Sequence, residues 1–161
     1  MTIKTRITFK DFLKFNLKNS LPRIVIFILI VTTLLGLNFY NADQYTQEML
    51  RSASIWFLLF FAFIVIRSYF KLKKVFTSNK TIQEEIIYTF TDNEIQTKGE
   101  TFDVDFSWDK VFLVKENKEW FLIYQSNTIM SMIPKKFFSS QEIFELRKII
   151  RNKKIKAKLK S

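Results

Sequence analysis

Two residue types are missing from this 161-residue sequence, which has no cysteine and no histidine. Without cysteine, the chain has no disulfides, thiolate metal sites or cysteine nucleophiles. Without histidine, it lacks the commonest general base near neutral pH and the commonest metal ligand. No constellation of acids or lysines suggests a catalytic pocket in their place. We therefore expect neither an enzyme nor a bound cofactor.

Proline and glycine are scarce, at two residues each, whereas apolar and positively charged residues are abundant. Apolar residues make up 48% of the chain, and 26 Lys and Arg against 15 Asp and Glu give a net charge of +11. Residues 1–80 carry +9, residues 81–142 carry −5 and residues 143–161 carry +7. A nucleic-acid-binding domain usually carries its basic patch on the folded body. Because the middle of this chain is acidic, we expect no nucleic-acid partner.

Two long apolar runs predict a transmembrane hairpin. RIVIFILIVTTLLGLNFY covers residues 23–40, and ASIWFLLFFAFIVIRSYF covers residues 53–70. At 1.5 Å per residue, about 17–20 residues cross a hydrocarbon core of about 30 Å. A buried helical pair in a soluble core is the alternative, but two such runs are too apolar for a soluble domain of this size. We therefore assign residues 22–75 to the hairpin.

The charges that flank the hairpin predict its orientation. Lysine and arginine are concentrated before the first run and after the second, whereas the linker between the runs has one arginine and two acids. The positive-inside rule then places both termini in the cytoplasm and the linker outside.

Both ends of the chain are basic. Residues 1–21 are predicted to form a basic amphipathic helix, in which Thr8 and Asp11 have the spacing of a capping box. This helix either lies in the headgroup layer or packs on the cytoplasmic domain. Residues 154–161 form a basic tail, either a frayed end or a segment attracted to anionic lipid, and the nearby basic membrane exits favour the lipid.

Residues 81–153 change to the period-2 alternation that is typical of β-strands and end in a helical pattern. In TFDVDFSW, the apolar positions 102, 104, 106 and 108 are expected on one face of a half-buried strand. The six predicted strands are EEIIYTFT, EIQTK, TFDVDFSW, KVFLVKE, EWFLIYQ and TIMSMIP. Their short connections predict an antiparallel meander.

The stretch MIPKKFFSSQEIFELRKII predicts a corner between the last strand and a closing helix. Pro134 cannot donate to a sheet ladder and is expected to end the strand. Ser139 and Glu142 have the spacing of a capping box, and Phe138 is placed to pack on Ile143.

Five motifs together resemble the YcxB-like family of small bacterial membrane proteins. They are YTFTDNEI (88–95), FSWDKVFLVKE (106–116), WFLIYQS (120–126), IPKKFF (133–138) and the early ITFKDFLKFN (7–16). The resemblance implies a cytoplasmic C-terminal domain similar to bacterial pleckstrin-homology domains, and it brings no catalytic residues. The motif residues expected to be structural are Phe90, Trp108, Tyr124, Pro134, Phe138 and Ser139.

The predicted fold is therefore an α+β membrane protein in the bacterial cytoplasmic (inner) membrane. A two-helix transmembrane hairpin is followed by a cytoplasmic pleckstrin-homology-like antiparallel β domain with a C-terminal capping helix. The acids Asp103, Asp105 and Asp109 could bind a divalent cation. The strand alternation puts the first two on a solvated face, so no metal site is expected.

The expected function is that of a membrane-anchored, non-enzymatic binding module whose cytoplasmic domain contacts a protein partner or anionic lipid at the inner leaflet. The candidate contacts are Lys71, Lys73, Lys74, Lys135, Lys136, Lys153, Lys154 and Lys156. The alternative is an immunity protein against a membrane-active toxin or bacteriocin, because some small membrane immunity proteins are similar. A homo-oligomer is left open.

Overall fold

The computed structural model describes residues 1–40 and 42–160 and has an α+β architecture. The chain forms two compact units. The helical unit is Thr8–Asn79, and the β unit combines Met1–Ile7 with the chain from Lys80 onward. The helical unit is therefore inserted between the first strand of the β unit and the rest of it.

The helical unit is an antiparallel pair of long helices, α1 (Phe9–Tyr40) and α2 (Gln44–Ser78). The side chain of Asp43 caps α2 by accepting a hydrogen bond from the Thr46 amide at 3.3 Å. Each helix is long and apolar enough to cross a membrane, with a mean hydropathy of 2.2 in its best window. Both predicted apolar runs thus lie within single helices.

The prediction of a helix over residues 1–21 is wrong at its beginning. Residues Thr2–Arg6 form a strand, β1, because the alternation of Ile3 and Thr5 with polar neighbours suits a sheet rather than a helix. The capping box is confirmed: the Thr8 amide donates to Asp11 at 3.0 Å and the Asp11 amide to Thr8 at 3.3 Å. The segment that follows continues through Pro22 into the apolar run as one helix.

The first sheet of the β unit has the strand order β1-β2-β3-β4, and each neighbouring pair is antiparallel. A short helix, α3 (Lys80–Gln83), leads into β2 (Glu85–Phe90), which is followed by β3 (Glu94–Lys98) and β4 (Asp103–Ser107). Arg6 pairs with Glu85, so the chain leaves and re-enters this sheet at adjacent positions.

The second sheet has the strand order β7-β6-β5-β8. Its strands are β5 (Leu113–Glu116), β6 (Trp120–Tyr124), β7 (Met130–Pro134) and β8 (Ala157–Lys158). β8 pairs with β5 in parallel, and the other pairs are antiparallel.

All six strands predicted from the sequence are confirmed, but they divide between two sheets instead of forming one meander. The division follows Trp108–Lys110, where a 3-10 turn ends β4.

The inner faces of both sheets and the closing helix, α4 (Ser140–Asn152), form one apolar core. Phe90 and Ile95 of the first sheet, Phe121 and Ile133 of the second, and Leu146 of α4 are all almost completely buried. The core therefore lies where the C-terminal helix closes the two sheets.

Candidate functional site

Most of the predicted lysine contacts lie on the surface. Lys71, Lys73 and Lys74 are exposed on α2. In the β unit, Lys136, Lys154 and Lys156 are exposed as well. The Lys136 ammonium lies 5.1 Å from the centre of the Phe137 ring.

Lys135 and Lys153 are instead engaged in contacts within the β unit. The Lys135 ammonium forms an ion pair with Glu116, and 12% of the Lys135 side chain is exposed. The Lys153 ammonium donates to the Asp92 carbonyl oxygen. The basic tail is also attached, because the Val114 amide donates to the Lys156 carbonyl at 2.9 Å. A frayed tail is therefore a wrong description of the residues up to Lys160.

Glu116 is the centre of a buried ionic cluster, which we define as Glu116, Lys135, Arg147 and the Lys160 amide. The Glu116 side chain is 0% exposed. Arg147 donates to its two carboxylate oxygens from Nε at 2.9 Å and from Nη2 at 2.7 Å. The Lys160 amide donates to the same carboxylate at 3.1 Å. One carboxylate thus joins β5, the corner after β7, α4 and the tail.

The environment of this carboxylate changes its pKa in a definite direction. Burial alone would raise the pKa of Glu116, but hydrogen bonds from Arg147, Lys135 and the Lys160 amide outweigh burial and hold the pKa below its usual value. The hydrogen bond to Glu116 likewise raises the pKa of Arg147. Both groups therefore stay ionised at neutral pH, and the cluster has a structural role.

A second buried carboxylate, Glu84, holds the turn between β3 and β4. It accepts hydrogen bonds from the Glu100 amide at 2.7 Å and from the Thr101 hydroxyl at 2.6 Å. The Thr101 contacts hold the pKa of Glu84 below its usual value. A Cβ atom at Gly99 would lie 2.5 Å from a Glu84 carboxylate oxygen and 2.4 Å from the Phe102 ring, so a larger residue there would displace one of these side chains.

One buried hydroxyl bridges the two sheets. Tyr88 of β2 is 3% exposed, and its hydroxyl shares a hydrogen bond with Ser131 of β7. Burial raises the pKa of Tyr88 to about 12. The group is thus a neutral cross-link at neutral pH.

The six family-motif residues lie in the core or at the ends of elements of the β unit. Phe90, Trp108, Pro134 and Phe138 are buried, and Tyr124 is half-buried. The Trp108 indole donates to the Thr91 carbonyl at 3.0 Å, and β7 ends at Pro134. Ser139 is the N-cap of α4, in a complete capping box with Glu142.

The three acids weighed as a cation site, Asp103, Asp105 and Asp109, are exposed. Asp103 instead pairs with Lys98 at 3.2 Å. Among the described residues, no group of three or more acidic side chains is placed to hold a metal ion.

An exposed apolar surface lies at one end of the second sheet, and the sequence did not predict it. We call it the Phe112 patch and define it as Phe112 and Ile129. Phe112 is 50% exposed and Ile129 is 60% exposed. The Phe112 amide donates to the Tyr124 carbonyl at 2.8 Å and the Gln125 amide to the Ile129 carbonyl at 3.0 Å, which brings the two residues to the same strand end. The run of apolar residues at 111–114 gave no signal that one of them is exposed.

Comparisons with known proteins agree with the motifs. The family described as YcxB-like protein matches residues 90–150, from the end of β2 to within α4. The uncharacterized protein YcxB of Bacillus subtilis (strain 168) is 28% identical over 85 residues. The match covers 53% of this chain and 46% of that protein, so it spans about half the length of each. No solved structure matches the chain. The early ITFKDFLKFN motif lies outside the family match.

Proposed function

Since residues 90–150 match the YcxB-like family, we propose that the chain is a membrane-anchored binding module without enzymatic activity. In this proposal α1 and α2 form a transmembrane hairpin, and the β unit is a cytoplasmic pleckstrin-homology-like domain. The domain binds a protein partner or anionic lipid at the inner leaflet of the bacterial cytoplasmic membrane.

One observation carries the membrane anchoring. None of the residues in the 18-residue apolar window of α1 or of α2 is buried. Leu37 and Leu58 are 63% and 64% exposed. Apolar area in water costs roughly 25 cal/mol per Å², and soluble proteins rarely expose continuous apolar surfaces of this extent. A bilayer would cover both helices.

The contacts of the buried polar groups in the β unit favour a binding function over a catalytic one. The buried carboxylates Glu116 and Glu84 are held by several hydrogen-bond donors each, in contacts that join elements of the fold. The Phe112 patch, in contrast, presents apolar side chains to solvent. Exposed apolar surface of this kind is typical of an interaction site.

The pleckstrin-like architecture is supported by two packed, mainly antiparallel sheets that a C-terminal helix closes. The orientation is supported by the distribution of lysine and arginine around the apolar windows. The immunity role stays a prediction, and challenging cells with a membrane-active toxin, with and without the protein, tests it.

Labelling of single cysteines tests the anchoring, because the natural chain has none. Tyr45→Cys lies at the start of α2, and Lys154→Cys lies after α4. We expect an impermeant thiol reagent to label Tyr45→Cys in intact cells and Lys154→Cys only after permeabilisation. The protein should stay in the membrane pellet after an alkaline carbonate wash. Release by carbonate, or equal labelling of both sites, would contradict the proposed anchoring and orientation.

A pull-down of the full chain from native membranes tests the binding role. The variant Phe112→Ser/Ile129→Ser should lose a stoichiometric partner that the wild type retains. Val104→Ser is the matched control, because Val104 is 48% exposed but lies on β4 of the other sheet. If both variants retain the same partner, the Phe112 patch is not the binding surface. Enrichment of anionic lipid without protein would favour lipid as the ligand.

A further inference from the structure

A cleft between α1 and α2 has an apolar part and a polar part. Its volume is about 430 Å³, within the range of pockets that bind small molecules. One part is lined by the apolar residues Ile24, Phe61, Ile64 and Val65. In the other, which we call the polar part, Asn16, Ser20, Ser68 and Lys71 lie among Leu13, Leu17, Tyr69 and Leu72. We call this site the α1–α2 cleft.

Polar residues join the lining of the cleft where the helices are expected to leave the bilayer. α1 has 32 residues and α2 has 35, which correspond to lengths of about 48 and 52 Å. Both lengths exceed a hydrocarbon core of about 30 Å. The apolar runs begin at residue 23 and end at residue 70, so the cleft straddles the boundary between the hydrocarbon and the headgroups.

The charge around the cleft is mainly positive. Residues 12–42 and 49–83 contain no Asp or Glu. Arg67 and Lys71 are exposed on α2 and are four residues apart, so they share one face of the helix. Lys71 also lines the cleft itself. Asp11, in the first turn of α1, is the acid nearest in sequence to the polar part, and it is held by the Thr8 amide and hydroxyl.

We propose that the α1–α2 cleft binds one anionic phospholipid. Its phosphate lies at the polar part, against the Lys71 ammonium and the hydroxyls of Ser20 and Ser68. One acyl chain follows Ile24, Phe61 and Val65 toward the middle of the bilayer. A wholly apolar occupant would leave the Lys71 ammonium unmatched, and a soluble anion would leave the apolar part uncovered. This inference rests on the proposed membrane anchoring, since the lipid must come from the bilayer.

The retained lipid can be counted on the full chain. The protein is purified in mild detergent from membranes that contain phosphatidylglycerol and phosphatidylethanolamine, and bound phospholipid is measured by mass spectrometry and total phosphate. We expect the wild type to retain about one phosphatidylglycerol per chain after prolonged washing. Equal retention of both lipids in the proportions of the membrane would overturn the proposal, because it indicates unspecific boundary lipid.

Two pairs of variants separate the cleft from general charge and hydrophobicity. Lys71→Gln removes the ammonium at the cleft, and Lys10→Gln removes an exposed lysine of α1 that does not line it. We expect the affinity for phosphatidylglycerol to fall about tenfold in Lys71→Gln and to stay unchanged in Lys10→Gln. Ser20→Phe should occlude the site, whereas Asn19→Phe, on an exposed position outside the lining, should not. Equal lipid retention in all four variants would refute the site.

The failure of this inference is distinguishable from failure of the anchoring. Every variant is also tested by carbonate extraction, which reports membrane insertion whether or not the cleft is filled. A chain that stays in the membrane but retains no specific lipid overturns only the cleft proposal.

The variant Ser68→Cys tests whether a second copy of the chain occupies the cleft. A Ser68→Cys disulfide dimer that forms when isolated membranes are treated with an added oxidant, together with the absence of retained lipid, would assign the cleft to a dimer contact instead.

Discussion

Glu116 shows how a single charged residue can organise a small domain. Its partners Lys135, Arg147 and Lys160 are 19, 31 and 44 positions away in sequence. Sequence alone therefore gives no sign that these charges meet, and Lys135 was predicted to face a ligand. The carboxylate loses its hydrogen bonds to water when it is buried. Its ionised form is stable there only because the three protein donors replace those hydrogen bonds.

We predict that Glu116→Gln lowers the free energy of unfolding of the β unit by about 3 kcal/mol, because it leaves two cations around an uncharged group. Urea unfolding of the full chain in detergent, followed by tryptophan fluorescence, measures this change. Asp103→Asn is the matched control, since the Lys98–Asp103 pair is exposed and is expected to contribute less than about 1 kcal/mol. Similar losses in both variants would contradict a special role for the buried cluster.

The same cluster predicts a dependence on pH. The folded-state pKa of Glu116 lies below the unfolded value of 4.5. Its contribution is therefore fully present above pH 4.5 and is lost as the pH falls through the folded-state pKa. We expect the stability difference between the wild type and Glu116→Gln to be constant at neutral pH and to shrink below pH 4.5. A difference that is the same at pH 7 and pH 3 would show that the Glu116 charge does not contribute.

Helix α4 is the element that the sequence predicted most completely. Its N-cap, its capping box and the proline that ends the preceding strand all depend on residues within one short stretch, so local chemistry was enough. The Ser139 amide donates to Glu142 at 2.7 Å, and the Glu142 amide donates to the Ser139 hydroxyl at 3.2 Å. Phe138 is buried, with its ring 5.5 Å from that of Phe121.

Ser139→Ala should lower the stability of the β unit by about 1 kcal/mol, because the Glu142 amide loses its acceptor. The change is measured as a shift in the urea midpoint without a change in the slope of the transition. Ser140→Ala changes the exposed next residue, inside the first turn of α4, and is expected to have almost no effect. An equal shift in both variants would exclude the cap as the cause.

Strands β1 and β8 were missed for reasons that differ. β1 pairs with β2, which follows the whole helical unit in sequence. Its five residues belong to a basic stretch that was predicted to be one helix. β8 has two residues and only gains its partner through the parallel contact with β5. Val104 was expected on the apolar face of a half-buried strand but is 48% exposed. These features depend on which strands become neighbours, and local alternation does not contain that information.

The division of the whole chain was also only partly predictable. The apolar runs and the change of period at residue 81 located the helical and β regions. They did not reveal that residues 1–7 belong to the β unit. The predicted order of a hairpin followed by a complete domain is therefore corrected to a hairpin inserted into a domain.

A direct fusion tests this correction. Residues 1–7 joined to residues 80–161 by a short Gly-Ser linker should unfold cooperatively in urea, because Arg6 and Glu85 are already paired. Residues 80–161 alone should be markedly less stable and prone to aggregate, since β2 becomes an uncovered edge and Ile3, which is 2% exposed, is missing from the core. Equal cooperative unfolding of the two proteins would show that β1 is dispensable.

The pairing of Arg6 with Glu85 also imposes an order of events during synthesis. At about 5–20 residues per second, a ribosome takes roughly 4–16 s to make the chain between these positions. Throughout this interval β1 has no partner, while both apolar helices emerge. The first sheet can close only after both helices of the helical unit have been synthesised, so its completion reports that the whole inserted segment has been made.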